Sequence, residues 1–270
     1  MIRPADAIRS RCAAIGLAAS TACSLSAAQF SLAASPPHFE LSVKPGETVR
    51  EAIELTQGDT GAGAYTLKTA DWIFRPDAAV DFSDALLPES CRPWVAIERR
   101  KLSLAPGRPY RFRFEVSPPA DAKPQECRFA VMIEGTRPSS APGMPFALGA
   151  RIGVIVYVAV GDVAPVLQLA GASVRTVEGR PTPMLSIRNT GQAHGRLAGF
   201  LSGTDASGTR LELQASTTPI MPGETRDIAL IATRPGDTET AVAVRFPITV
   251  RGRLEWGRNG SMPIDQQFAP

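Results

Sequence analysis

Apolar and polar positions alternate along the chain in short runs, which is the pattern of half-buried β-strands. Between Tyr110 and Val116, aromatic or aliphatic residues alternate with charged ones, so successive side chains face opposite sides of the strand. Similar runs, separated by turns rich in proline and glycine, continue to the end of the chain, and no long stretch has helical periodicity. The sequence therefore predicts an all-β fold.

Two groups of strands are expected, one on each side of a polar break at Gly161 and Asp162. The first group has seven strands at the spacing typical of an immunoglobulin-like β-sandwich, over residues 38–43, 48–55, 65–74, 94–98, 109–117, 126–135 and 146–160. The second group predicts another immunoglobulin-like β-sandwich. Its expected strands are 166–169, 173–177, 184–188, 196–201, 210–213, 225–232 and 240–250, with a last hairpin through 256–268.

The expected organisation is a signal peptide over residues 1–28, an N-terminal sandwich domain over 29–161 and a C-terminal sandwich domain over 162–270. The first 28 residues have a basic start, an apolar run and small residues before Gln29, as in secretory signal peptides. A retained membrane anchor and a lipoprotein site at Cys23 are the alternatives. Because the signal carries three arginines and one aspartate, the +3 charge of the chain falls to +1 beyond it, which argues against a nucleic-acid groove.

The longest apolar strand of the sequence runs from Met144 to Val160 and contains one charge, Arg151. β-Branched residues dominate after Arg151, which favours a strand over a helix. A strand of this length outgrows one small sheet. Its first half is therefore expected to be an exposed edge that pairs with another chain, while its second half belongs to a core. This arrangement predicts a binding function.

The cysteines indicate one disulfide bond. Cys12 and Cys23 lie within the expected signal peptide, so Cys91 and Cys127 remain in the exported chain. Two cysteines in an exported protein favour a single bridge. Two buried free thiols are the alternative.

No catalytic chemistry is indicated. His38 and His194 are the only histidines, which leaves little material for a metal cluster or a histidine-based triad. Nucleophile-elbow, phosphate-loop and zinc-protease motifs do not occur. Asp81 and Asp84 form an acidic pair in what reads as a loop, where carboxylates are usually just solvated. We therefore expect no enzyme, no metal and no cofactor, and we interpret His194 as a turn residue rather than a contact at an interface.

Four features follow one another in an order that resembles a known family. They are the early segment Ser-Pro-Pro-His-Phe-Glu-Leu at 35–41, the Lys-Pro-Gly turn at 44–46, the long last strand of the first domain with its Arg151, and a short hinge to a second sandwich. In this order, over nearly the full exported length, the chain resembles the periplasmic pilus-assembly chaperones of the chaperone–usher systems. These are two-domain immunoglobulin-like proteins.

The resemblance implies roles for five residues. In that family, two basic residues in the cleft between the domains hold the C-terminal carboxylate of a pilus subunit, and apolar residues of the last strand complete the subunit's missing strand. By position, Arg151 and His38 then bind the carboxylate, with His38 standing where the family has arginine or lysine. Met144, Phe146 and Leu148 are then the donated apolar residues.

The implied function is that of a periplasmic chaperone that binds pilus, fimbrial or related surface subunits by β-strand addition and delivers them to an outer-membrane usher without a nucleotide. Such a protein binds no nucleic acid and is not embedded in the membrane. A structural or adhesive exported protein is the alternative class, and the scattered tryptophans make a carbohydrate-binding module a weaker one. Edge protection is the alternative role of Arg151, and burial under the 138–145 loop is the alternative for the apolar row.

Overall fold

The computed structural model describes residues 32–58, 60–88, 90–136, 151–237 and 239–270, and nearly all regular structure within them is β-strand. The first series of strands is β1 (Leu32–Ser35), β2 (His38–Val43), β3 (Val49–Gln57), β4 (Gly63–Phe74), β5 (Val80–Ser83), β6 (Val95–Ile97), β7 (Lys101–Leu104), β8 (Tyr110–Val116), β9 (Gln125–Gly135) and β10 (Arg151–Val160). A 3-10 turn, Arg92–Trp94, precedes β6. The second series is β11 (Leu167–Val177), β12 (Arg180–Asn189), β13 (Phe200–Thr204), β14 (Arg210–Ala215), β15 (Thr225–Thr233), β16 (Ile248–Trp256) and β17 (Gly260–Phe268).

The first ten strands form two sheets around one core. One sheet has the order β1–β3–β8–β6, and the other has the order β2–β10–β9–β4, with β5 and β7 both pairing with β4. Lettered along the chain, these orders read A-B-E-D and A′-G-F-C, which is the arrangement of an immunoglobulin sandwich. The predicted all-β, immunoglobulin-like fold is confirmed. Among the described segments, no helix is long and apolar enough to cross a membrane.

Aromatic side chains join the two sheets of this first sandwich. On β8, Phe112 and Phe114 are buried, as the alternation of apolar and charged residues predicted. Phe114 packs edge to face against Phe39 of β2 and Phe129 of β9, with ring centroids 5.3 and 5.9 Å apart. Each such pair contributes roughly 0.5–1.5 kcal/mol beyond its buried area. Because β8 lies in one sheet and β2 and β9 lie in the other, these contacts hold the sandwich together.

The second sandwich is formed by one seven-stranded sheet that bends around its own core. The order of the strands is β11–β12–β15–β14–β13–β16–β17. β15 changes partner along its length, because residues 225–229 pair with β12 and residues 230–233 pair with β14. Both parts of the ladder contribute buried side chains, among them Leu213, Ile228 and Ile248. The second predicted sandwich is therefore confirmed.

The second sandwich differs from the predicted strands in three places. The strands expected over 166–169 and 173–177 are one strand, β11, with a register shift between Leu169 and Gly171. The strand expected over 196–201 begins only at Phe200. The strand expected over 240–250 begins only at Ile248, and the expected last hairpin accordingly starts there rather than at residue 256. Val242 precedes β16 and packs against the second core. An apolar residue that is buried without belonging to a strand gives the same sequence pattern as a strand residue, which explains the wrong prediction.

Three short strands, β1, β5 and β7, were not predicted. Each has four residues, which is too short for a period of two to stand out. Asp81 was expected in a loop but lies in β5, 3.5 Å from the guanidinium of Arg75, which directly follows β4. Asp81 is therefore part of a surface ion pair, whereas Asp84 follows β5 and contacts Lys68.

Cys91 and Cys127 form a disulfide bond, as predicted. Both residues are almost completely buried and belong to the core of the first sandwich. The bond ties the segment before β6 to β9, two places 36 residues apart in sequence. A closed loop of this size restricts the unfolded chain and stabilises the folded one by about 4 kcal/mol in the chain-entropy treatment.

Replacing both cysteines by alanine is expected to lower the free energy of unfolding by about 3–5 kcal/mol, since the loop constraint and two buried side chains are lost together. Urea unfolding followed by tryptophan fluorescence measures the change. The wild-type chain under reducing conditions is the matched comparison, because it loses the bond and keeps both side chains. Equal stability of oxidised and reduced wild type would contradict this account.

Candidate functional site

Strand β10 has hydrogen-bonded neighbours on both sides over only part of its length. On one side it pairs with β9 along its whole length, from Arg151 to Val160. On the other side it pairs with the parallel strand β2, and this ladder begins only at Ile155, beside His38. Within the described part of the chain, no strand pairs with residues 151–154 on the β2 side. We call this stretch of backbone the open edge.

The backbone groups that face the open edge follow from the ladder. The N–H of Ile155 donates to the Pro37 carbonyl at 3.3 Å, so the N–H of Ile155 points toward β2. Alternate residues of a strand direct their backbone groups to the same side, so Arg151 and Gly153 point their N–H and C=O groups in this direction too. The open edge thus presents two donors and two acceptors to a further strand.

The side chains of the open edge separate into a core face and an outer face. Val154 is buried in the first core and Ile152 packs against it. Arg151 is exposed on the outer face, and Gly153 lies beneath the ring of Phe82. A Cβ at position 153 would lie 2.5 Å from the Phe82 Cζ, so only glycine fits there without displacement of the ring. This half of β10 is thus anchored to the sandwich by one edge and both faces.

The predicted carboxylate-binding residues both lie near the open edge, but they are not adjacent. His38 is exposed at the start of β2, opposite Ile155, and Arg151 stands four residues earlier on β10, roughly 13 Å along the strand. The resemblance implied a cleft between the sandwiches, whereas Arg151 begins β10 at the end farthest from Gly161, where the chain leaves the first sandwich. The binding role of this pair stays a prediction. Met144, Phe146 and Leu148 lie outside the described residues.

The contact between the two sandwiches is built from a different set of side chains. Glu40 of β2, Glu126 of β9 and Tyr157 of β10 meet His194 and Arg196, which follow β12. We call these five residues the junction. Glu126 accepts from the backbone N–H of His194 at 3.0 Å and lies 2.6 Å from its Nδ1, and the His194 ring stacks on Tyr157 with centroids 3.9 Å apart.

Glu40 closes the junction on its solvent side. Its Oε1 lies 3.2 Å from the His194 Nε2 and accepts a hydrogen bond from the Arg196 Nε at 3.2 Å. Arg196 also donates to the Thr217 carbonyl at 2.8 Å, which fixes the guanidinium in place. A cleft of about 250 Å³ lies beside these groups. The basic side chains that line this cleft, His194 and Arg196, are therefore already paired with carboxylates of the same chain.

The protonation states of the junction follow from this geometry. Burial is the largest single influence on His194 and lowers its pKa, but hydrogen bonds to Glu126 and Glu40 and their negative charges together raise the pKa above its ordinary value. The hydrogen bond from His194 is the main reason that the pKa of Glu40 falls to about 2, against burial and with help from Arg196. Burial raises the pKa of Tyr157 to about 12. The junction at neutral pH thus contains ionised Glu40 and a neutral phenol.

A second polar contact between the sandwiches centres on Arg226 of β15. Its guanidinium donates to the backbone carbonyls of Arg75 and Pro76, both at 3.1 Å, in the turn between β4 and β5. The same group lies 4.5 Å from the ring centroid of Phe74 and pairs with Glu224. Arg226 is only 7% exposed, so these hydrogen bonds are made away from water.

His194 was interpreted as a turn residue, and the structure corrects that interpretation. The turn chemistry belongs to Asn189, whose side chain accepts from the backbone N–H groups of Val166 and Gly191. The segment after it carries His194 and Arg196 onto the first sandwich. Glu40 and Glu126 lie in strands that are far from His194 in sequence, and no local sequence motif indicates that they contact it.

The comparisons with known proteins concern fold only. No family model matches the chain, and no curated protein matches it. Among solved structures, the class 5 fimbriae chaperone CfaA is similar to it with 12% identity and a TM-score of 0.47, over 88% of this chain and 99% of CfaA. The E. coli chaperone DraB shows 12% identity and a TM-score of 0.44, over 88% and 98% of the two chains. The Pseudomonas aeruginosa CupB2 chaperone shows 10% identity and a TM-score of 0.43, over 87% and 99%. These values are too low to carry a functional argument.

The contact made by Arg226 predicts a measurable loss of stability. Arg226→Ala is expected to lower the free energy of unfolding by about 2–3 kcal/mol, because two carbonyls lose a charged donor in a buried place. Arg251→Ala is the matched control, since Arg251 makes only an exposed ion pair with Asp265, and we expect less than about 1 kcal/mol from it. Urea unfolding of both variants tests this, and equal losses would contradict it.

Proposed function

We propose that the protein is a periplasmic chaperone that binds incompletely folded pilus, fimbrial or related surface subunits by β-strand addition at the open edge and delivers them to an outer-membrane usher. The single observation that supports this most is the open edge itself. A strand that is paired on one side and unpaired on the other for part of its length is a template for a further strand.

The edge is suited to accept a strand because the rest of β10 holds it in place. From Ile155 onward, β2 occupies the same side of β10, so an added strand would continue the row that β2 begins. Ile152 and Val154 fasten the open half to the first core, and Phe82 covers Gly153 on the outer face. We call the subunit that the chaperone binds the client. A strand of the client would pair with an edge that is already ordered, which reduces the entropy cost of binding.

Three elements of the proposal rest on sequence. Met144, Phe146 and Leu148 precede the open edge and would supply the apolar side chains that an incomplete subunit lacks. The signal peptide over residues 1–28 would take the chain to the periplasm, where the Cys91–Cys127 bond can form. The domains would extend over 29–161 and 162–270, with the hinge immediately after β10.

Arg151 and His38 are proposed as the polar contacts of the client. Among the residues that the structure describes, Arg151 has no ion-pair partner, so its guanidinium is available to a carboxylate, which arginine binds in bidentate fashion. His38 is the first residue of β2 and lies opposite Ile155, next to the open edge. The junction is a poorer place for a client carboxylate, because Glu40 already occupies His194 and Arg196.

Arg151→Glu is expected to abolish client binding and to leave the protein folded, since the side chain is exposed and a carboxylate there would repel that of the client. The purified chain is used to capture proteins from a periplasmic extract, and mass spectrometry identifies them. A captured subunit is then purified and returned to the chain, and hydrogen exchange is followed at residues 151–154. Slowed exchange of Arg151 and Gly153 is the expected sign of strand addition.

Arg210→Glu is the matched control, because Arg210 is also an exposed arginine at the first position of a strand, β14 of the other sandwich. We expect it to bind clients as the wild type does. Equal binding by Arg151→Glu, or unchanged exchange at the open edge in the complex, would overturn the proposal. Recovery of the chain itself as an oligomer would instead favour a structural role.

A further inference from the structure

The imidazole of His194 has a carboxylate at each ring nitrogen. Its Nδ1 lies 2.6 Å from Glu126 and its Nε2 lies 3.2 Å from Glu40. A neutral imidazole donates one hydrogen bond only, whereas the protonated ring donates two. With both carboxylates ionised, the two contacts can be hydrogen bonds at once only when His194 carries a positive charge. The geometry of the junction is thus that of the imidazolium.

Loss of this proton would remove the positive charge that faces the buried Glu126, and the neutral ring could donate to only one of the two carboxylates. The Glu126 side chain is 3% exposed and that of His194 is 7% exposed, so water screens neither of them. One Glu126 oxygen, Oε1, makes no hydrogen bond within the described structure, and the other depends on His194 for both of its bonds. A buried carboxylate that loses the cation facing it destabilises the closed arrangement. Separation of the two sandwiches would return Glu126 to water.

We propose that His194 is a pH-dependent latch between the two sandwiches, closed when the imidazole is protonated and released when it is neutral. The latch closes between β9 and β2 on one side and the segment after β12 on the other. It would control the relative orientation of the two sandwiches, and it does not depend on the function proposed above.

The other charged groups near the ring do not replace the lost proton. Arg196 is held by Glu40 and the Thr217 carbonyl, and it faces the solvent side of the junction. Arg128 of β9 lies over the ring of Trp72. Tyr157, with its raised pKa, stays neutral throughout the range in which histidine titrates. In the part of the chain that the structure describes, neither arginine forms a hydrogen bond or ion pair with Glu126, so His194 supplies the cation that faces Glu126.

The direction of the pH effect follows from the raised pKa of His194. A group whose pKa is higher in the folded state stabilises that state fully below its unfolded pKa, about 6.5, and loses the contribution as the pH rises through the folded value. The latch is therefore closed in mildly acidic solution and opens toward alkaline pH. Glu40, with its pKa of about 2, stays ionised over this range.

The contact of Arg226 behaves differently, because it does not titrate in this range. Arginine stays protonated, and its partners there are backbone carbonyls and Glu224. The turn between β4 and β5 would thus remain attached to β15 when His194 releases. Opening at the junction then becomes a rotation of the sandwiches about the Arg226 contact rather than a complete separation.

Nuclear magnetic resonance of the full exported chain tests the titration directly. The chain has two histidines, His38 and His194, so the variant His38→Gln assigns the signal of His194. We expect the imidazole of His194 to titrate above the ordinary histidine value of about 6.5. A midpoint for His194 at or below that value would overturn the proposal.

A distance measurement tests the latch. Spin labels on Ser103→Cys of β7 and Thr204→Cys of β13, both exposed and on different sandwiches, report the orientation of the sandwiches. We expect one narrow distance distribution at pH 5.5 and a broader or displaced one at pH 9, with an unchanged circular dichroism spectrum. His194→Gln should remove this pH dependence, and His38→Gln, the matched control, should retain it.

Three results would overturn the latch. The first is the same distance distribution at both pH values in the wild type. The second is a pH dependence that persists in His194→Gln. The third is a change of distance that occurs only together with loss of the β-sheet signal, because that change would report unfolding rather than movement at the junction.

Discussion

The structure depends on the hydrogen-bonding requirement of one strand, β10. A backbone that lies in a sheet needs partners along both edges, and β10 obtains them from β9 along its whole length but from β2 along only part of it. Its inner face supplies Val154, Val156 and other valines to the first core, and its outer face supplies Tyr157 to the junction. The same ten residues therefore hold the first sandwich together, support the second one and leave an edge unsatisfied.

The two sandwiches are joined by both apolar and polar contacts. Met221 of the second sandwich packs with Trp72 and Tyr157 of the first, but the directional contacts are made by His194 and Arg226. Apolar surfaces can slide over each other at little cost, whereas a buried charge has its partner in one place only. We infer that the charges at the junction contribute more to a single orientation of the sandwiches than to their affinity, since desolvation offsets much of their attraction.

The fold could be predicted from the sequence because its determinants are local. A period of two in β8, the turn residues between strands and the two remaining cysteines each act over a few positions, and all three predictions are confirmed. The predicted strand boundaries were wrong for two reasons. A buried residue outside any strand, such as Val242, gives an apolar pattern, and a strand of four residues, such as β5, is too short to show a period of two. The junction could not be predicted, because Glu40 and His194 are 154 positions apart and neither belongs to a recognisable motif.

The open edge, where a further strand could pair, and the junction, which joins the two sandwiches, lie at different positions along β10. Alternate residues share a face of a strand, so Arg151, Gly153, Ile155 and Tyr157 lie on the same outer face of β10. Tyr157 stacks on His194 near one end of the strand, while Arg151 stands six residues away, roughly 20 Å along it. That distance is well beyond the Debye length of about 8 Å at physiological ionic strength, so the charge of His194 acts on Arg151 only weakly through solvent. Any influence of the junction on the open edge must therefore pass through the position of β10 itself, which β9 holds along its whole length and β2 holds only from Ile155 onward.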